Sequence, residues 1–188
     1  IRSESEPASF KFTVIDVPIV DAGAIPGDGS EIADEYVLDF AQLINTYKSA
    51  VSSWDGTSSL KGNYSVSLDN VNFVAGENIT MDPSKPRWQF GGKSKVGEDG
   101  IPTTRYISFK VTKPGVISHY IRHGSTGGYK ADDESTWRMV KVVLAKPDGS
   151  VVELDNFSSP TPDYKAGSTE LMTTEITAAH LAGLTTPP

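Results

Sequence analysis

Between residues 86 and 145 polar and apolar side chains alternate in two runs, RYISFKVTKPGVISHYIRHG and TWRMVKVVLAKPDG. Ile107, Phe109 and Val111 alternate with Tyr106, Ser108, Lys110 and Thr112. A half-buried strand requires that period of two, because successive side chains point to opposite faces. Lys113-Pro114-Gly115 supplies a turn, from which the chain is expected to return through residues 116–121. The pattern assigns Ile107, Phe109, Val111, Ile117 and Ile121 to the core and Tyr106, Tyr120 and Arg122 to the outside. A second hairpin is predicted from residues 137–144 and 150–154, about the turn Lys146-Pro147-Asp148-Gly149.

The same reading extends along the chain. Residues 9–20 alternate as a strand, with Phe10, Phe12 and Val14 on one phase, and residues 22–30 form a Gly-rich loop. Tyr36, Leu38 and Phe40 alternate, whereas Phe40, Leu43, Ile44 and Tyr47 recur at three and four; a short strand followed by a helix over 41–51 is predicted. Residues 52–63 read as a polar loop containing Trp54. Two strands, 64–68 and 71–74, flank an Asp69-Asn70 turn. Further strands are expected at 79–81, 87–90 and 169–176, with rigid DPSKP at 82–86, a flexible loop after Gly91-Gly92, and long polar loops at 123–136 and 157–167. Many short strands separated by turn residues indicate an all-β fold, an antiparallel β-sandwich of jelly-roll type, with one short helix in its N-terminal part. Residues 1–8 read as a flexible end and 9–188 as one domain.

Composition narrows the function classes. The 188 residues are 37% hydrophobic and 22% charged, enough to build a core. A net charge of −7 opposes binding to a phosphate backbone, so nucleic acid is not expected as a partner. No apolar run is long enough to span a membrane as a helix. The absence of cysteine removes disulfides, thiolate metal sites and a Cys nucleophile. The polar, acidic start at Ile1 reads as a processed mature end with a signal peptide removed, and hence as a secreted or cell-surface protein.

The segments FVAGENITMD, RWQFGGKS and RYISFKVTKPGVISHYIRHGS, a loop rich in Ser, Gly and Asp, and WRMVKVVLAKPDGSVVEL together resemble a β-sandwich module of Bacteroidetes surface and secreted proteins. That module is often found beside pectate-lyase-like and other polysaccharide-degrading domains. The resemblance covers about residues 72–183. It implies a carbohydrate-associated β-sandwich without an established catalytic residue, and it places Arg138 at the Arg that opens a hairpin. Where such modules continue into two more strands, this sequence reads HLAGLTTPP, and residues 1–71 extend beyond the familiar module. Those residues are expected either to supply the missing strands or to form a separate layer.

Sugar-binding surfaces present aromatic rings to pyranose C–H faces, with nearby Arg or acid side chains fixing hydroxyls. The candidate ligand residues are Trp88, Tyr106, Tyr120, Arg122, Tyr129, Trp137 and Arg138. The competing expectation is that Trp88 and Trp137 belong to the core or its edge, as large rings mostly do. Asp132-Asp133-Glu134 lacks the spaced acids of a calcium loop and reads as solvated, so no metal or cofactor is expected. The same holds for Asp28, Glu31, Asp34 and Glu35. His119 and His123 stand about 13 Å apart along an extended strand, too far for a shared metal, and His119 falls on the core phase. No nucleophile elbow and no phosphate loop is present. Asn63, Asn78 and Asn156 begin N-x-[ST] triplets. The expectation is therefore a non-catalytic carbohydrate-binding or carbohydrate-associated module. The alternatives are a structural or adhesive domain packing on a partner domain or subunit, and a polysaccharide-active enzyme.

Overall fold

The computed structural model describes residues 10–14, 35–121, 132–133, 138–159 and 170–182. Among these the chain is mostly β, with all strand pairs antiparallel. The strands are β1 (Phe10–Val14), β2 (Glu35–Val37), β3 (Leu60–Gly62), β4 (Val66–Leu68), β5 (Val71–Val74), β6 (Ile79–Asp82), β7 (Arg87–Phe90), β8 (Tyr106–Ser108), β9 (Gly115–Ile121), β10 (Arg138–Ala145), β11 (Val151–Ser159) and β12 (Glu170–Ile176). Helices α1 (Phe40–Ala50) and α2 (Ala178–Leu181) complete the described elements. Strand orders are β12-β9-β1-β2, β3-β6-β7, β4-β5-β8 and the hairpin β10-β11.

Helix α1 forms where the spacing placed it. Asp39 caps it, its carboxylate accepting from Ala41 N at 2.8 Å and Gln42 N at 3.2 Å. Phe40, Leu43 and Tyr47 bury one face, and the amide of Val51 closes the last turn on the Tyr47 carbonyl. In the β4–β5 hairpin Asp69 and Asn70 both have positive φ (49° and 65°), as a two-residue type I′ turn requires. The β10–β11 hairpin turns on Pro147-Asp148-Gly149, with Gly149 left-handed and Asp148 accepting from Ser150 N and Oγ. An extra residue on β11, between the pairs Val142–Asp155 and Val143–Glu153, bulges that strand.

The described strands β1 and β2 do not form a separate layer. β1 pairs along β9, and β2 pairs along β1, so the N-terminal strands complete the sheet that β9 and β12 begin. The core runs through every ladder, from Tyr36 and Leu43 through Phe73, Met81 and Leu144 to Ile176 and Leu181. Trp54 belongs to it: the ring is buried, and its Nε1–H donates to the Ser58 carbonyl at 2.9 Å.

Two expectations are corrected here. The stretch 106–112 is strand only over β8, which pairs with β5, and β9 lies in a different sheet. Val111, Thr112, Pro114 and Gly115 are buried as two adjacent pairs, without alternation, so the chain crosses through the interior between two sheets instead of folding back as a hairpin. Ile107 is 40% exposed. It pairs with core residue Phe73 across the ladder, yet β8, the edge strand, exposes Ile107 and buries Ser108 at 8%, the reverse of the burial that the alternation predicts.

Thr174, opposite Ile117, is 1% exposed, and its hydroxyl has no hydrogen-bond partner among the described residues. Thr174→Val keeps the shape and removes a desolvated hydroxyl. It is expected to stabilise the fold by about 1 kcal/mol, read as a higher urea midpoint at unchanged slope.

Candidate functional site

The candidate ligand residues fall on different parts of the fold. Trp88 is on β7, Tyr106 on β8 and Tyr120 on β9, three strands in three ladders, and each is partly buried. Arg138 starts β10. Arg122, Tyr129 and Trp137 lie outside the described residues, as do His123 and Glu134 of the long loop.

Trp88 stands at the edge of the core. Its Nε1–H donates to Tyr47 Oη at 2.7 Å, and Tyr47 in turn donates to the Tyr64 carbonyl at 3.2 Å. Burial pushes the Tyr47 phenol far above its ordinary range, against the lowering effect of the Trp88 hydrogen bond. Phe73 meets Trp88 edge-on at 5.7 Å between centroids, and Phe90 does so at 5.1 Å. Phe90, two residues along β7 on the same phase, is 38% exposed. The indole thus joins the core network on one side and an accessible ring on the other. Phe90 was absent from the sequence-based set, because "RWQF" ends in a residue that reads as core by type.

Tyr106 shares a face with Asn72, Val74 and Ser108, across which Ser67 donates to Asn72 Oδ1 at 2.5 Å. Tyr120 lies opposite Leu171, which is 55% exposed, on the outward face of the four-stranded sheet. That face also carries Thr173, Glu175, Glu35 and, at the other edge, Val37 at 56% exposure.

His119, on the phase of buried Ile117, has its pKa lowered by burial, with the charge of Asp155 pulling the other way. The core-facing expectation for His119 agrees with this placement. Among the described residues no three His, Asp or Glu side chains gather as a metal site would need.

One highly connected polar residue among the described residues is one that pattern reading missed. Arg105 begins the approach to β8 with positive φ (54°) and is 8% exposed. Its Nε donates to Asn78 O at 3.1 Å, Nη1 to Lys93 O at 2.5 Å, and Nη2 pairs with Glu77 Oε2 at 2.7 Å. Its own backbone donates to Ala75 O and accepts from Ser94 Oγ at 2.7 Å. Lys95 also pairs with Glu77. These two cations, with hydrogen bonds from both, hold the Glu77 carboxyl below its usual range, the Lys95 hydrogen bond being the largest cause. One guanidinium therefore fixes the β5–β6 connection and the start of the 91–105 loop together. Gly91 is required beside it, because a Cβ there would collide with the Asn78 carbonyl. The glycine pair before RYISF was the only sequence signal pointing to this close approach.

No family model, curated protein or solved structure matches the chain. No helix among the described residues is long and apolar enough to cross a membrane.

Arg105→Lys is expected to cost about 3 kcal/mol in urea unfolding. One ammonium cannot reach two carbonyls and a carboxylate in fixed directions, and buried acceptors are left unpaired. His119 gives a pH signature. Its folded-state pKa lies below the unfolded value near 6.5, so between the two the unfolded chain binds more protons. The contribution is full above about pH 7 and is lost as pH falls through that window. His119→Asn is expected to flatten the fall in urea midpoint from pH 7 to 5 relative to wild type.

Proposed function

We propose that the protein is a non-catalytic carbohydrate-binding or carbohydrate-associated module, secreted or displayed at a cell surface, built as a β-sandwich of jelly-roll type. The observation that carries this reading is that Trp88, Tyr106 and Tyr120 all keep part of their rings accessible, with exposed Phe90 beside Trp88. Rings held at a core edge suit sugar stacking: their orientation is set before binding, so little rotamer freedom is lost. The resemblance to modules that accompany polysaccharide-degrading domains supports the same class.

A second reading, a structural domain that packs on a neighbouring domain or subunit, draws on exposed Val37 and Leu171 at the two edges of the four-stranded sheet. Exposed apolar side chains on edge strands suit strand or face docking.

A glycan array followed by calorimetry separates the readings. The expected result is binding to a plant or host polysaccharide that Tyr120→Ala or Phe90→Ala weakens by about tenfold, a stacking loss of roughly 1.4 kcal/mol. Binding to no glycan, together with concentration-dependent self-association that Leu171→Glu abolishes, would favour the structural domain. New reducing ends or unsaturated products in the same incubations would show an enzyme.

A further inference from the structure

Charge is segregated along this chain. Seven of its 17 basic residues and only two of its 24 acidic residues lie within residues 85–113, which carry +5 in a chain of −7. Glu77 and Asp82 pair with Arg105, Lys95 and Arg87, and counting them still leaves +3 over residues 77–113. Strand β7 runs through the middle of this segment as the edge of its ladder, hydrogen-bonded only to β6 among the described residues. At one end of β7 the turn presents exposed Lys85, and at the other the loop presents exposed Lys93; neither forms an ion pair among the described residues. The backbone at Lys93 is fixed, because its carbonyl takes the Arg105 Nη1 hydrogen bond. Between the lysines stand Trp88, partly buried, and Phe90, exposed.

We propose that β7 and its two flanking turns form a binding strip for an anionic polysaccharide, one carrying carboxylate or sulfate groups at intervals along a chain of sugar rings. This rests on the carbohydrate reading above and names its substrate class. Four residues of strand at about 3.3 Å each set the two cation-bearing turns roughly 13 Å apart. The rings of Trp88 and Phe90 take the C–H faces of the sugars between them, and Lys85 and Lys93 meet acid groups on either side. A polyphosphate fits less well. A nucleic-acid strand brings a charge about every 3.4 Å, and the acidic remainder of this protein repels that density more than one acid group per sugar ring.

The test is calorimetry on the full chain with polygalacturonate and alginate as carboxylate ligands, carrageenan as a sulfated one without carboxylates, and xylan and mannan as neutral ones, at low and high salt. Poly-glutamate and oligo-dT serve as non-sugar polyanions. The expected result is preference for an acidic glycan, with affinity falling about tenfold for each tenfold rise in salt, as for release of one to two counterions. Lys85→Gln and Lys93→Gln each weaken that binding several-fold and reduce its salt dependence, and Phe90→Ala weakens it at every salt concentration. The two lysine variants leave the thermal midpoint unchanged, which separates lost binding from lost folding, and Phe90→Ala, which also loses its contact with Trp88, is compared only well below its own midpoint. The two acidic-glycan arms decide between carboxylate and sulfate. Neutral glycans bound as tightly as acidic ones, with both lysine variants unaffected, would overturn the strip and leave the carbohydrate reading standing. Binding to no glycan would remove both. Equal affinity for poly-glutamate or oligo-dT would also overturn the proposal, since charge alone would then account for it.

Discussion

A single buried guanidinium ties together the part of this protein that carries its candidate surface. Arg105 reaches the carbonyls of Asn78 and Lys93 and the carboxylate of Glu77, while its backbone bonds to Ala75 and Ser94. A charge taken out of water is tolerable only when its donors are matched, and here each of three side-chain nitrogens has a partner. The left-handed backbone at Arg105 carries its own strain, and the surrounding hydrogen bonds hold it in place. The path of the 91–105 loop, the end of β7 and the beginning of β8 all follow from that one anchor.

Legibility in the sequence tracked how local the cause was. The Asp69-Asn70 turn, the Pro147-Asp148-Gly149 turn and the α1 stripe of Phe40, Leu43 and Tyr47 arise from neighbours in sequence, and each stands where its residues placed it. Strand partnership is not local. Lys113-Pro114-Gly115 announces a change of direction, but it does not state whether the next strand returns to the same sheet, and here it enters another. Ile107 shows the same limit, for alternation separates the two phases of a strand and does not state which of them the rest of the fold covers. Arg105 was invisible for a further reason: its partners are mostly main-chain carbonyls, which every residue has.

The candidate site follows the same division. Trp88 was legible as an aromatic, and its geometry places it at the edge of the core: the indole N–H belongs to the Tyr47–Tyr64 network, and the ring contacts exposed Phe90. A ring pinned from behind by a buried hydrogen bond is a stiffer surface than one on a loop. Tyr106 and Tyr120 stand on other ladders, so the aromatic set read from sequence is divided among separate faces.

The pairing of β1 with β9 has a consequence for how this chain comes to be folded. About a hundred residues separate Phe10 from its partner His119, and β12 is added later still along the same strand. Such contacts must overcome a long loop closure before they contribute anything, which slows folding and leaves strand edges unpaired meanwhile. During synthesis β1 emerges before β9 and has to wait for it. The hairpins β4–β5 and β10–β11, closed by their own tight turns, can form first and alone. Strand β1, far ahead of β9 in sequence, is among the last of the described strands to find its neighbour.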